Sequence, residues 1–223
     1  MQIILTLLFN LVPASSVVVF GWSAFTLLLL YWLENVIAGA VNAIKIAISG
    51  FTSGKENARA TVGLIPFFIF HYGIFCVIHG LLIWELFGDA SAAAVPDDGL
   101  SSLPLLVMTR LKTDTFFFWN AIALTIFQIL TFLIYWLANS SWKTADPYSQ
   151  TFAPYGRVVV VHVTIILAGV PVALLGQPLI AVVILAMIKT ILEVGVGRFS
   201  DAIVEVREKL ADQARKEMKK RAG

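Results

Sequence analysis

Long apolar runs, broken at intervals by short polar stretches, dominate the pattern along this 223-residue chain. A helix rises about 1.5 Å per residue, so roughly 20 mostly apolar residues cover a hydrocarbon core of about 30 Å. On that measure six runs predict spanning helices, at about 3–20, 24–48, 64–87, 115–138, 157–175 and 179–196. The first contains Pro13, which a membrane helix tolerates as a kink. Gly21-Trp22-Ser23 predicts a tight turn with Ser23 as the N-cap of the second helix. Polar loops are expected at 49–63, at 139–155 and, acidic and without Lys or Arg, at 89–103. Residues 104–112 predict a short interfacial helix, because Arg110 and Lys112 are costly in lipid. Connections this short favour antiparallel neighbours. The expected fold class is therefore an all-α transmembrane bundle of about six spans.

The pattern changes after residue 197. Phe199, Ile203, Val206 and Leu210 alternate by four and three, which makes one apolar stripe on a helix. Glu205 with Lys209, and Asp212 with Lys216, stand four apart with the acid first, the favourable order. The expected division is a bundle over 1–197 and a basic amphipathic tail over 198–223. Residues 215–221 suit contact with anionic lipid headgroups, beside the simpler role of a solvated positive-inside segment.

Composition strengthens the membrane reading: 59% of residues are hydrophobic, 13% are charged, and the mean hydropathy is +0.86. Soluble domains carry about a quarter charged residues. The net charge of +2 is uneven, since half of the 16 Lys and Arg lie from Arg198 onward. Lys55, Arg59, Lys143, Arg157 and the tail then share one side, expected to be cytoplasmic, with both termini inside. Arg110 and Lys112 dissent on the other side. Met1-Gln2 offers no basic leader, so the first run is expected to be a retained span. The lone Cys76 cannot form an intrachain disulfide and reads as a buried, inert thiol.

Candidate chemistry lies within the apolar runs. An ionisable group at the helix centre costs about 2.5–3.5 kcal/mol on insertion scales and is normally turned inward and partnered. Glu34, His71, His79, His162, Lys189 and Glu193 all fall in predicted spans, and these three histidines are the only ones in the chain. Counting residues from the span ends places Glu34, His71, His162, Lys189 and Glu193 together in the inner half of the bundle. His79, eight residues beyond His71, is expected in the outer half near Asn120. Tyr31, Asn35, Ala38, Asn42 and Lys45 alternate by four and three and share a face that would not be turned to lipid. Plainer roles compete: Asn35 and Asn42 as interhelical hydrogen bonds, and Lys189 with Glu193 as a neutralising pair four apart. Tyr135-Trp136-Leu137-Ala138-Asn139 echoes Tyr31-Trp32-Leu33-Glu34-Asn35 at a different depth, and reads as coincidence with interface aromatics.

Tyr31-Trp32-x-Glu34-Asn35, followed by Gly39-x-x-Asn42-x-x-Lys45 and by His71-Tyr72-Gly73 with His79, resembles an uncharacterised family of prokaryotic integral-membrane proteins of unknown function. The resemblance covers nearly all the chain except the charged tail. It implies a polytopic membrane protein and brings no activity or cofactor.

Three function classes follow. The first is binding or transport of a small solute, proton or metal ion through an inward-facing polar site, proton-linked through Glu34 and the histidines. The second is a metal-dependent intramembrane enzyme or redox protein. His71, His162, Glu34 and Glu193 would offer N and O ligands suited to Zn or Fe, although no HExxH spacing is present. The third is a structural or partner-binding membrane protein, with polar residues as helix glue. The lipid bilayer is the expected partner, and homo-oligomerisation is left open. No Walker loop, GxSxG elbow or Rossmann glycine pattern occurs, and nucleic acid has no support beyond the basic tail.

Overall fold

The computed structural model describes residues 21, 23–88, 102–175, 187, 188, 190 and 191. These residues form helices and no strand. The helices are α1 (Ala24–Thr52), α2 (Lys55–Phe87), α3 (Ser102–Thr113), α4 (Thr115–Thr131), α5 (Pro147–Phe152) and α6 (Tyr155–Leu175). A π-helical segment, Phe132–Ala138, continues α4, and a 3₁₀ turn, Ser141–Lys143, follows it. Three helices are long and apolar enough to cross a membrane: Phe25–Thr52, Lys55–Phe87 and Thr115–Ala138. This fits a membrane protein. The first and sixth predicted spans and the 198–223 tail lie outside the described residues. The fifth predicted span corresponds to α6, whose shorter apolar stretch is Val158–Leu167.

Local chemistry sets the helix ends. Ser23 caps α1 as expected, its hydroxyl accepting from the Thr26 N–H at 3.2 Å. Asp114 does the same for α4, accepting from Phe117 N–H at 2.9 Å. Asp146 accepts from Ser149 N–H at 2.8 Å, with Pro147 at the first turn of α5.

The loop expected at 49–63 is nearly all helix. Only Ser53 and Gly54 separate α1 from α2, and Gly54 takes φ +103°, a conformation open to glycine. The polar residues that suggested a loop are accommodated on the helices. Ser49, Thr52 and Thr61 hydroxyls donate to the carbonyls of Ile46, Ile48 and Asn57. At 33 residues α2 is about 50 Å long, so its first turns extend past a hydrocarbon core of about 30 Å. The loop expected at 139–155 likewise contains the 3₁₀ turn and α5, and α5 packs on α1 and α2.

α1 is the centre of the described fold. Half of its apolar window is buried, against 17% for α2 and 22% for the α4 span. Phe25 to Trp32 are buried without interruption, as expected of a helix surrounded on all sides. They form the main core with Ile83 and Phe87 of α2, Leu103 and Leu106 of α3, Phe117, Ala121 and Leu124 of α4, and Val161 and Ile165 of α6. Exposed Phe67, Phe70, Ile74, Ile126, Leu130 and Ile166 leave broad apolar faces suited to lipid.

The α1–α2 hairpin is held at close range. A Cβ at Gly39 would overlap the Tyr72 ring, and one at Gly50 would overlap the Thr61 side chain. A Cβ at Gly80 would meet Leu103 Cδ1 at 2.9 Å and Trp32 Cε2 at 3.1 Å. Small residues let helix backbones approach, which is how membrane helices gain packing when lipid is as apolar as leucine. Gly39→Val and Gly50→Val are expected to lower the stability of the detergent-solubilised protein by about 1–3 kcal/mol each. Gly73→Ala, with open space around its Cβ, should not. Thermal unfolding followed by circular dichroism checks both.

Candidate functional site

The residues of the Tyr-Trp-x-Glu-Asn stretch meet those of the His-Tyr-Gly stretch across the hairpin. Trp32 Nε1 donates to the Cys76 carbonyl at 2.6 Å, with its ring against Gly80. The Tyr72 hydroxyl donates to the Asn35 backbone carbonyl at 3.0 Å. Both bonds tie a side chain of one helix to the backbone of the other, fixing which residues stand opposite.

The polar face of α1 is turned inward. Tyr31, Asn35 and Asn42 are buried, while Glu34 and Lys45 are half-buried. Asn42 Nδ2 donates to the Gln150 carbonyl at 2.8 Å. That carbonyl belongs to six-residue α5, whose last turn has few internal donors, so Asn42 anchors a short helix against α1. Asn35 is 4% exposed, and its Oδ1 receives no hydrogen bond from the described residues. Lys45 Nζ stands 6.0 Å from the centroid of the Trp136 ring. Trp136, expected as an interface aromatic, is instead buried in the π segment, whereas Tyr135 is exposed.

The three histidines form two rungs between α2 and α6. His71 Nδ1 and the Tyr155 hydroxyl are 2.6 Å apart. His79 Nε2 and His162 Nδ1 are 2.9 Å apart. The two contacts run in the same order along both helices, so α2 and α6 are parallel. His79 is 3% exposed, whereas His162 is exposed. A neutral imidazole has one N–H and one lone pair, so the His79–His162 bond fixes complementary tautomers in the two rings. It is compatible with at most one imidazolium of the pair. Tyr155 precedes the apolar stretch of α6, and its phenol is a hydroxyl able to donate.

Aromatic rings surround the column. Phe67 stacks on His71 at 5.1 Å, and Phe75 meets His71 edge-on at 5.2 Å. Phe75 also lies 6.4 Å from the His79 ring and 6.2 Å from the Tyr155 ring. Phe67, His71, Phe75 and His79 follow one another at intervals of four, one stripe of α2. Tyr155 and His162 are seven apart, two turns on one face of α6.

The pairing differs from the depths counted along the sequence, which put His162 beside His71 and left His79 near Asn120. Counting set residue 64 level with residue 157; the rungs set 71 level with 155, a shift of nine residues or about 13 Å. The cause is α5, which packs against α1 and α2 and starts α6 deeper than an external loop would. Asn120 donates to the Phe116 carbonyl of its own helix at 2.9 Å. Lys189 and Glu193 lie outside the described residues. Among the described residues, no three His, Cys, Asp or Glu side chains come together as a metal site. Tyr155 was missed because it was read as the last loop residue; its seven-residue spacing from His162 is the signal that locates it.

A family model described as a family of unknown function (DUF6498) matches residues 1–219. No curated protein and no solved structure matches.

Asn42→Ala should loosen α5 while leaving the hairpin in place. Loss of one hydrogen bond is worth about 1 kcal/mol. Amide exchange across Pro147–Phe152 is therefore expected to quicken about fivefold, with α1 and α2 unchanged, by hydrogen–deuterium exchange mass spectrometry.

Proposed function

We propose a function for a chain that belongs to the DUF6498 family: a multi-pass membrane protein that binds a proton or a small solute at the His79–His162 pair and passes it through the bundle. In this reading both termini face the cytoplasm, and the bilayer is its partner. The parallel sense of α2 and α6 supports the topology, because spans entering from the same side run the same way. The single observation that carries the function is the imidazole–imidazole hydrogen bond at 2.9 Å within an apolar bundle, joining a buried ring to an exposed one.

The chemistry of such a pair suits proton handling. Each imidazole can take a proton on one nitrogen and release one from the other. A pair that merely packed would be served as well by two apolar rings, without the cost of bringing polar groups into a bundle. The metal-dependent reading asks His71 and His162 to share an ion, yet each is held by a different partner in a different rung. Asn42, bonded to Gln150, supports helix glue as its own role without extending that role to the histidines.

Purified protein in proteoliposomes, carrying a trapped pH dye and subjected to an imposed potential, tests this. Proton flux or proton-coupled solute uptake is expected above the lipid background. His79→Ala and His162→Ala should each reduce it by about 100-fold, the lower end for removing a positioned proton-transfer group. Unchanged flux in both folded variants would end this reading.

A further inference from the structure

We propose that the two rungs are successive stations of one proton pathway along the α2–α6 seam, and that Phe75 is the barrier between them. The proposal rests on the reading of His79–His162 as a proton-handling site and names the gate of that site. Along α2 the stations are eight residues apart, and along α6 seven, so they are separated by about 11–12 Å of helix. Among the described residues no hydrogen bond links the two rungs across that interval. Phe75 occupies it, four residues from each histidine, with ring contacts to His71, Tyr155 and His79. The ring has no proton to give and no lone pair to receive one. Ile46, Phe68, Tyr72 and Val158 form the buried apolar cluster against which it packs. An apolar constriction of this kind gates by excluding water.

Proton balance holds at each station. A proton added to the outer nitrogen of His162 is matched by transfer of the bridging proton from His162 Nδ1 to His79 Nε2. His79 then releases one from Nδ1. At the other rung, the Tyr155 hydroxyl passes its proton to His71 Nδ1 as its oxygen receives another, and His71 Nε2 releases one. One proton enters and one leaves, nothing is oxidised or reduced, and ring turns restore the starting tautomers. Water is the carrier between the stations whenever Phe75 turns aside.

The test uses the full-length protein in pH-dye proteoliposomes. Phe75→Ala is expected to raise proton flux several-fold, and Phe75→Trp to bring it to the lipid background. Adding His79→Ala to Phe75→Ala should return the flux to background, because a path through the histidines needs both. Phe75→Leu, which keeps an apolar side chain while thinning the barrier, should give an intermediate rise and serves if the alanine variant does not fold. Flux unchanged in a folded Phe75→Ala or Phe75→Leu protein overturns the gate, and so does a raised flux that survives His79→Ala. If His79→Ala abolishes the flux of the unmodified protein while the Phe75 variants change nothing, the gate fails and the histidine site stands. If neither set has an effect, both fail.

Discussion

An imidazole inside an apolar helix bundle pays a desolvation cost for each ring nitrogen that has no hydrogen-bond partner. Here one nitrogen of each ring is matched by the neighbouring helix: His79 Nε2 by His162 Nδ1, and His71 Nδ1 by the Tyr155 hydroxyl. These two contacts fix the register of α6 on α2 and its parallel direction. They also place an exposed imidazole against a buried one. Interhelical side-chain hydrogen bonds in membranes average only about 0.6 kcal/mol. Their effect on register is therefore larger than their effect on stability.

What makes the rungs possible is the α1–α2 hairpin. Gly39, Gly50 and Gly80 bring the two helices close, and Trp32 and Tyr72 each donate to a backbone carbonyl of the other helix. The stripe Phe67–His71–Phe75–His79 is thereby presented to α6 from a helix braced on α1. α5, held on α1 through Asn42, sets where α6 begins. The packing core and the polar column adjoin on the same helices, since Ile83 and Phe87 of the core continue the stripe that carries His71 and His79. The glycines and aromatics set the distance; the histidines set the chemistry.

Much of this was legible in the chain. Apolar run length gave the helical membrane class, Ser23 gave the first cap, and the four-and-three spacing gave the inward face carrying Asn35 and Asn42. The 115–138 run corresponds to α4 with its π extension. Two features misled. Ser49, Thr52 and Thr61 look like loop residues but bond to their own helices, so polarity overstated the break at 49–63. Helix α5 is too short to show an apolar period, and its docking shifted α6 by two to three turns. The depth of His162, and hence its partner, depended on that docking. Local sequence carries the face of a helix well; it carries the relative height of two distant helices poorly.

The central claim is that His79 and His162 share one hydrogen-bonded proton. With only three histidines in the chain, ¹⁵N-histidine labelling gives a spectrum simple enough to assign. Nuclear magnetic resonance should show a nitrogen–nitrogen coupling across the bond between His79 Nε2 and His162 Nδ1. The coupling should vanish in His162→Ala, with the His79 resonances displaced and those of His71 left in place. No coupling in the unmodified protein, together with His79 resonances indifferent to His162→Ala, would contradict the account.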